Sequence, residues 1–346
     1  MKTLAIETSC DDTSVGIVSF DWQTFSVDSL LAYSQIEDHQ QYWGVVPEIA
    51  SRLHFDKIIE VIQSIGLDKI KDVDFISVTT HPGLPGSLVV GKTVASLLSS
   101  YFTKPLVHVN HIYGHLFSIL LERKSSDIQF PLVVLTASGG HNDIYVVNPT
   151  NSEQLTTNND GISYSKFGGY EIAKIGYTLD DAAGECFDKV SRMLGGPYPG
   201  WVRIGEKATQ WKPNDDVKFS RIFLSKDTFE FSFSWMKSQV SFLLKELEKK
   251  GTPLTEELIC DIAYEFQEAV VEVMVKKLVR AGIAFDAKTL WLAGGVSCND
   301  RLREYLEEYW KLKIENWKFL RPTKKVYSTD NAAMIGLAGI LEFMNT

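Results

Sequence analysis

Short runs of β-branched and aliphatic residues recur along the chain, separated by longer stretches in which apolar residues fall three or four apart. Thr3–Glu7 and Val15–Phe20 predict two strands around a polar turn. Pro47–Ile65 has helical spacing, Val73–Thr79 predicts a strand, and Ser87–Tyr101 predicts a helix after a Pro/Gly turn. Leu106–Asn110 is a strand pattern running into a helical one, His111–Glu122, and Lys124–Gln129 is a polar break between two halves. The second half opens with strand patterns at Leu132–Ala137 and Ile144–Asn148 around a turn, Ser138–Asn142. Helical patterns follow at Asp181–Leu194, Ser234–Lys250 and Thr255–Ala281. Leu290–Ala293 predicts a buried strand ending in Gly294-Gly295, then come helices over Asn299–Lys311 and Asp330–Phe343. LAIETSCDDTSVGIV and VVLTASGGHNDIYVV share one plan, a strand, a tight polar turn and a second strand. That echo, with strands and helices alternating, predicts a duplicated α/β unit with a cleft between the copies.

Length and composition agree with two lobes: 346 residues exceed what a single core usually organises, and 45% apolar with 23% charged residues is ordinary for a globular chain. A net charge of −9 argues against a self-sufficient nucleic-acid binder, though not against a local basic strip or a partner that supplies positive charge. The four cysteines (Cys10, Cys186, Cys260 and Cys298) show no metal-ribbon or disulfide spacing, which suits free thiols in a reducing compartment. No secretory signal opens the chain, since Glu7 and two aspartates interrupt the first apolar run, and no apolar run is long enough to span a bilayer. A cytoplasmic location is expected.

The sharpest local signal is His111-Ile-Tyr-Gly-His115 directly after a strand. At i and i+4 both imidazoles project from one helix face, as two ligands of one metal must, while a satisfied core pair is the plain alternative. A zinc peptidase would need Glu after the first histidine, and Ile112 stands there. Asp330, before the last helix, is the candidate third ligand; helix capping is its alternative role. Three glycine-rich turns, Pro82–Gly86, Thr136–His141 and Gly294–Asn299, sit at strand ends, where backbone N–H groups can meet phosphate oxygens. None matches a P-loop or Rossmann fingerprint. Among the acidic residues, Asp180 and Asp181 suit the first turn of a helix, and Asp11 and Asp188 are the better candidates for chemistry.

Together these segments resemble the TsaD family of tRNA threonylcarbamoyladenosine enzymes. The resemblance runs through Ile6-Glu-Thr-Ser-Cys-Asp-Asp-Thr13, Gly44–Arg52, His111 and His115, Ser138-Gly-Gly-His141, Asp180–Lys189, Phe231–Ser234, Ala293–Asn299 and Ser328-Thr-Asp-Asn331. It implies an α/β, actin-like ATPase (ASKHA) fold of two RNase H-like lobes, residues 1–125 completed by 328–346, and 126–327 with a helical insertion. It also implies transfer of a threonylcarbamoyl group from threonylcarbamoyl-AMP to N6 of adenosine 37 in tRNAs reading codons that begin with A. By the same resemblance one divalent metal, Fe2+ or Zn2+, is held by His111, His115 and Asp330. Thr136, Ala137, Ser138, Gly139 and Gly140 line the site, and Asp188, Gly200 and Asn299 lie at the nucleotide, with ATP or ADP as a further occupant of the cleft.

Chemically, backbone N–H groups of Ser138–Gly140 suit developing negative charge, and Asp11 suits the amine proton. The family implies TsaB as heterodimer partner, TsaE as ATPase and TsaC as donor supplier. Two positions depart from the family: Trp201 stands where a glycine is usual, implying an altered wall or a stacking surface, and His81 also replaces a glycine. Three rivals remain: an ATP-binding relative without tRNA modification, a non-catalytic paralogue lacking the metal residues, and a metallopeptidase.

Overall fold

The computed structural model describes residues 1–150, 163–210, 217–224, 228–311 and 317–345. Among these, eleven strands form two sheets. The first contains β1 (Lys2–Glu7), β2 (Asp12–Phe20), β3 (Phe25–Ser34), β4 (Phe75–His81) and β5 (Leu106–Asn110), in the order β3-β2-β1-β4-β5. The second contains β6 (Leu132–Ala137), β7 (Asn142–Pro149), β8 (Tyr164–Phe167), β9 (Tyr170–Gly176), β10 (Thr289–Ala293) and β11 (Lys318–Phe319), in the order β11-β10-β6-β7-β9-β8. Numbered within each sheet, the first reads 3-2-1-4-5, and the second, without the short β8, gives the same order from its other end. The hairpin echo in the sequence is thus the start of a duplicated sheet.

The helices are α1 (Ile36–Gln40), α2 (Pro47–Ile65), α3 (Leu67–Lys71), α4 (Pro85–Phe102), α5 (His111–Phe117), α6 (Ala183–Met193), α7 (Gly200–Thr209), α8 (Ser234–Lys249), α9 (Glu256–Ala284), α10 (Asp300–Lys311) and α11 (Ala332–Phe343). None among the described residues is long and apolar enough to cross a membrane. The chain divides into two compact units, one of Met1–Leu132, Val147–Ala173 and Leu320–Thr346, the other of Val133–Val146 and Lys174–Phe319. The hairpin of β8 and β9 therefore groups mainly with the N-terminal part.

In the first unit the two-residue period of β1 sorts its side chains. Leu4 and Ile6 join Ile58 and Ile62 of α2 and Ala95 of α4 in one buried cluster, while Ala5 faces Gly336 of α11. Each fully buried aliphatic side chain contributes roughly 1.5–3 kcal/mol. β1 runs parallel to β4, and β4 to β5, so the carboxyl ends of these strands, with Glu7, Thr79 and Asn110, lie at one end of the sheet. Open α/β sheets present ligands at that end.

In the second unit α9 is buried over most of its circumference. Phe266, Val270, Met274 and Leu278 belong to one core with Val133, Leu135, Ile144 and Val146 of β6 and β7. No disulfide forms: Cys186 and Cys260 are buried free thiols, and Cys10 and Cys298 are half-buried.

Elements absent from the sequence reading include β3, β8, β9, β11, α1, α3 and α7, and one expected helix ends early. β3 is an edge strand with mostly exposed or half-exposed side chains and no alternation of buried and exposed positions through its apolar residues. The helix expected over His111–Glu122 stops at Phe117 and tightens into a 3-10 turn, Ser118–Leu120, with the Ser118 hydroxyl donating to the His115 carbonyl at 2.9 Å.

Candidate metal centre and strand-end loops

Asn110 ends β5 and caps α5, its side chain accepting from the Ile112 amide at 2.8 Å. The cap starts the helix at His111, which puts His111 and His115 one turn apart with ring centroids 4.7 Å from each other. At the start of α11 the cap is Asn331, whose side chain accepts from the Met334 amide at 3.1 Å. Asp330 is therefore not the cap. Its Oδ1 lies 3.0 Å from His115 Nε2 and 3.5 Å from His111 Nε2. One ligand atom from each of His111, His115 and Asp330 lies within 4.8 Å of the others. Nitrogen and carboxylate donors suit zinc or iron, and three protein ligands leave a coordination position open.

A fourth residue, Glu7 at the end of β1, was read in the sequence only as the close of an apolar run. It is 1% exposed, and its Oε2 lies 3.1 Å from His111 Nδ1. Thr79 also donates to Oε2, and the Ser9 amide donates to Oε1 at 2.5 Å. A carboxylate at Nδ1 keeps the proton there and leaves Nε2 for a metal. Burial pushes the His111 imidazolium down, but Glu7 and Asp330 outweigh it and raise its pKa to about 9. Burial likewise pushes the Glu7 carboxyl up, and His111 outweighs it and holds Glu7 below the usual range. Two carboxylates around a histidine proton make a place where a divalent cation can replace that proton. The residues fit the group.

Asp11 sits in the turn after β1, beside this cluster. Burial, and to a lesser degree the Asp330 charge, raise its pKa above the ordinary value, although contacts with Cys10 and His39 oppose them. Ser9, at the head of the same turn, has its hydroxyl 3.1 Å from His111 Nδ1. The Pro82–Gly86 turn packs here too, the Leu84 amide donating to the Ser9 carbonyl at 2.7 Å. His81 is exposed, lies 2.9 Å from the Thr80 hydroxyl and stands outside the group of His111, His115 and Asp330.

The remaining predicted residues lie in the second unit and converge there. Thr136 and Ala137 end β6, and a Cβ on Gly294, whose φ is +87°, would overlap the Ala137 backbone, so the β10 turn lies against the β6 end. The Ser138 carbonyl accepts from the Gly184 amide at 3.1 Å, bringing the start of α6 to the same loop. Asp188 of α6 accepts from the Gly200 amide at 2.6 Å at the start of α7. Gly200 must be glycine, because a Cβ would overlap the Phe187 carbonyl and Asp188 Cα. Asn299 caps α10 by accepting from Leu302 at 3.2 Å and donates to Gln267 at 2.8 Å.

Two expectations change, and a third residue is placed. Of the N–H groups expected to meet developing negative charge, that of Ser138 is already bonded to the His141 carbonyl at 2.8 Å; Gly139 and Gly140 border open space. Asp180 caps α8 instead of serving α6, accepting from Phe233 N at 2.8 Å and Ser234 N at 3.1 Å, and Asp181 pairs with Lys189 and Lys237. Trp201 packs half-buried against the apolar core of its unit, which makes part of its bulk a packing element.

Two sheets of matching order and a His-His-Asp cluster at a strand–helix junction define an actin-like α/β protein with a candidate metal centre. HypF of T. kodakarensis has the same fold, with a TM-score of 0.57 at 15% identity, covering 99% of this chain; the chain spans about half, 48%, of that one. The profile of the family TsaD, tRNA N6-adenosine threonylcarbamoyltransferase, matches residues 28–167 and 163–337. Proteins of that name from Bdellovibrio bacteriovorus, Geobacter sp. and Bacillus subtilis are 40%, 42% and 39% identical, over 98%, 98% and 99% of this chain and 92%, 90% and 91% of theirs. The chain belongs to the TsaD family.

Proposed function

We infer that the protein is a tRNA N6-adenosine threonylcarbamoyltransferase, taking its acyl group from threonylcarbamoyl-AMP and placing it on N6 of adenosine 37 in tRNAs that read codons beginning with A. The observation that carries this reading is the near full-length family match in a chain that keeps His111, His115 and Asp330 clustered. His111, His115 and Asp330 would hold one Fe2+ or Zn2+, which when bound supplies a Lewis acid for an oxygen of the donor. Glu7 fixes the His111 tautomer from behind.

An exocyclic adenine amine is a weak nucleophile, so its attack needs alignment and removal of its proton. The new N6–C bond forms as the carbonyl carbon parts from the phosphate oxygen, AMP leaves, and Asp11 accepts the amine proton. A carboxyl raised by burial is better matched to that task than an exposed one. Gly139 and Gly140, with Thr136 and Ala137 behind them, form the wall for the adenylate, and Asp188, Gly200 and Asn299 brace it.

The net charge of −9 supports a reading in which most tRNA affinity comes from an assembly, with TsaB as dimer partner, TsaE as ATPase and TsaC supplying the donor. The test is transfer of labelled threonylcarbamoyl from its adenylate to tRNA, with and without these partners. Labelled adenosine 37 in the complete mixture is expected; hydrolysis of donor or ATP with no labelled tRNA would overturn the reading.

A further inference from the structure

The turn between β1 and β2 touches the metal centre at one end, through Ser9, and is gripped from two helices at the other. His54 of α2 is fully buried. Its Nε2 lies 2.9 Å from the Cys10 carbonyl oxygen, and its Nδ1 lies 2.7 Å from the Thr13 hydroxyl. A carbonyl only accepts, so Nε2 carries the ring proton and the Thr13 hydroxyl donates to Nδ1. Burial pushes the His54 pKa down and favours the neutral ring, the form in which the Thr13 hydroxyl is the donor to Nδ1. From the other side the Gln35 amide donates to the Asp11 carbonyl at 3.2 Å, and the Gln35 side chain is itself held by His39 Nε2 at 3.1 Å. Asp11 thus stands between two bonded neighbours, Cys10 and Thr13, with its own backbone fixed as well.

We propose that His54 is a positioning residue for the transfer: by holding Cys10 and Thr13 it aims the Asp11 carboxylate at the amine whose proton it accepts. The proposal rests on Asp11 serving as the base. Both of these His54 bonds go to the residues that flank Asp11 and Asp12, and neither goes to His111, His115 or Asp330. A catalytic group displaced by about 1 Å can lose on the order of a hundredfold in rate.

The experiment compares His54→Ala and His54→Gln in the parental chain and in Asp11→Asn, assayed with the partner proteins for kcat, KM for tRNA, and metal content. In the parental chain His54→Ala is expected to lower kcat by about 10–100-fold while KM and metal content move by less than about twofold. His54→Gln, whose amide can still donate to the Cys10 carbonyl, is expected to recover most of that loss. In Asp11→Asn the further change to Ala is expected to alter kcat by less than about twofold, because a group that acts through Asp11 has nothing left to aim. If His54→Ala fails to fold, Thr13→Val removes one of the two bonds and is expected to show a loss of about threefold that vanishes in Asp11→Asn. Losses that multiply across the two positions, parental kcat in both His54→Ala and Thr13→Val, or an effect confined to KM or metal content would overturn the positioning role alone. Full activity in Asp11→Asn would overturn the base, and His54's role with it.

Discussion

The two units use their predicted site residues in opposite ways. In the first, Glu7, His111, His115 and Asp330 converge as side chains, and the helix caps beside them are provided by neighbours, Asn110 and Asn331. In the second, the polar side chains are themselves the braces: Asp188 holds the Gly200 amide and Asn299 caps α10, leaving glycine backbone at the loop surface. A charged cluster whose side chains do not cap the adjacent helices suits a metal. A loop whose side chains are consumed in bracing presents a fixed backbone, which suits the oxygens of a nucleotide.

That contrast can be broken at either side. Asp330→Asn removes an anionic ligand without removing a cap, so bound metal and transfer are both expected to fall, transfer by at least about a hundredfold, with folding intact by circular dichroism. Retained metal at parental affinity would place the centre elsewhere. Glu7→Gln leaves all three ligands but loosens the His111 tautomer, and metal affinity measured by competition with a chelator is expected to drop about 10–100-fold. In the second unit Gly200→Ala should act on stability instead, by about 3 kcal/mol in chemical denaturation, because its Cβ would displace α7 from α6. Metal content should stay unchanged; a loss of metal there would blur the distinction between the units.

The smallest effect concerns Asp12. Burial, then the Asp11 charge, raise its pKa to about 7, above the ordinary 3.8. A carboxyl whose folded pKa is raised contributes stability at low pH that is lost as pH climbs from its unfolded value through about 7. Asp12→Asn escapes that loss. In chelator-treated protein its stability advantage over the parent should grow by roughly 1–3 kcal/mol between pH 5 and pH 8. An advantage that shrinks with pH would mean the first unit does not crowd its carboxylates.

Much of this was legible in the sequence where local chemistry decides the outcome. Leu106–Asn110 and Leu132–Ala137 have the bounds their patterns predict, because a short apolar run meets an abrupt change of period at each. The histidine pair was legible because i, i+4 spacing alone puts two rings on one face. β3 was not, since an edge strand needs no buried alternation to pair. Glu7 was hidden for another reason: it becomes a partner of His111 only when β1 and β5 flank β4, a contact over 104 positions. Asp180 likewise looked like a first-turn acid of α6, and its real target, the start of α8, lies more than fifty positions on. His54 carried no signal at all, being one buried histidine on an apolar helix face.

The proposed transfer depends most on a metal at His111, His115 and Asp330. The most direct measurement strips the protein with a chelator and follows labelled threonylcarbamoyl transfer to tRNA as metal is titrated back in the presence of the partner proteins. Transfer should fall to background and return in step with one equivalent of metal per chain, and His111→Ala should show no recovery. Transfer at the full rate by metal-depleted protein would contradict the account.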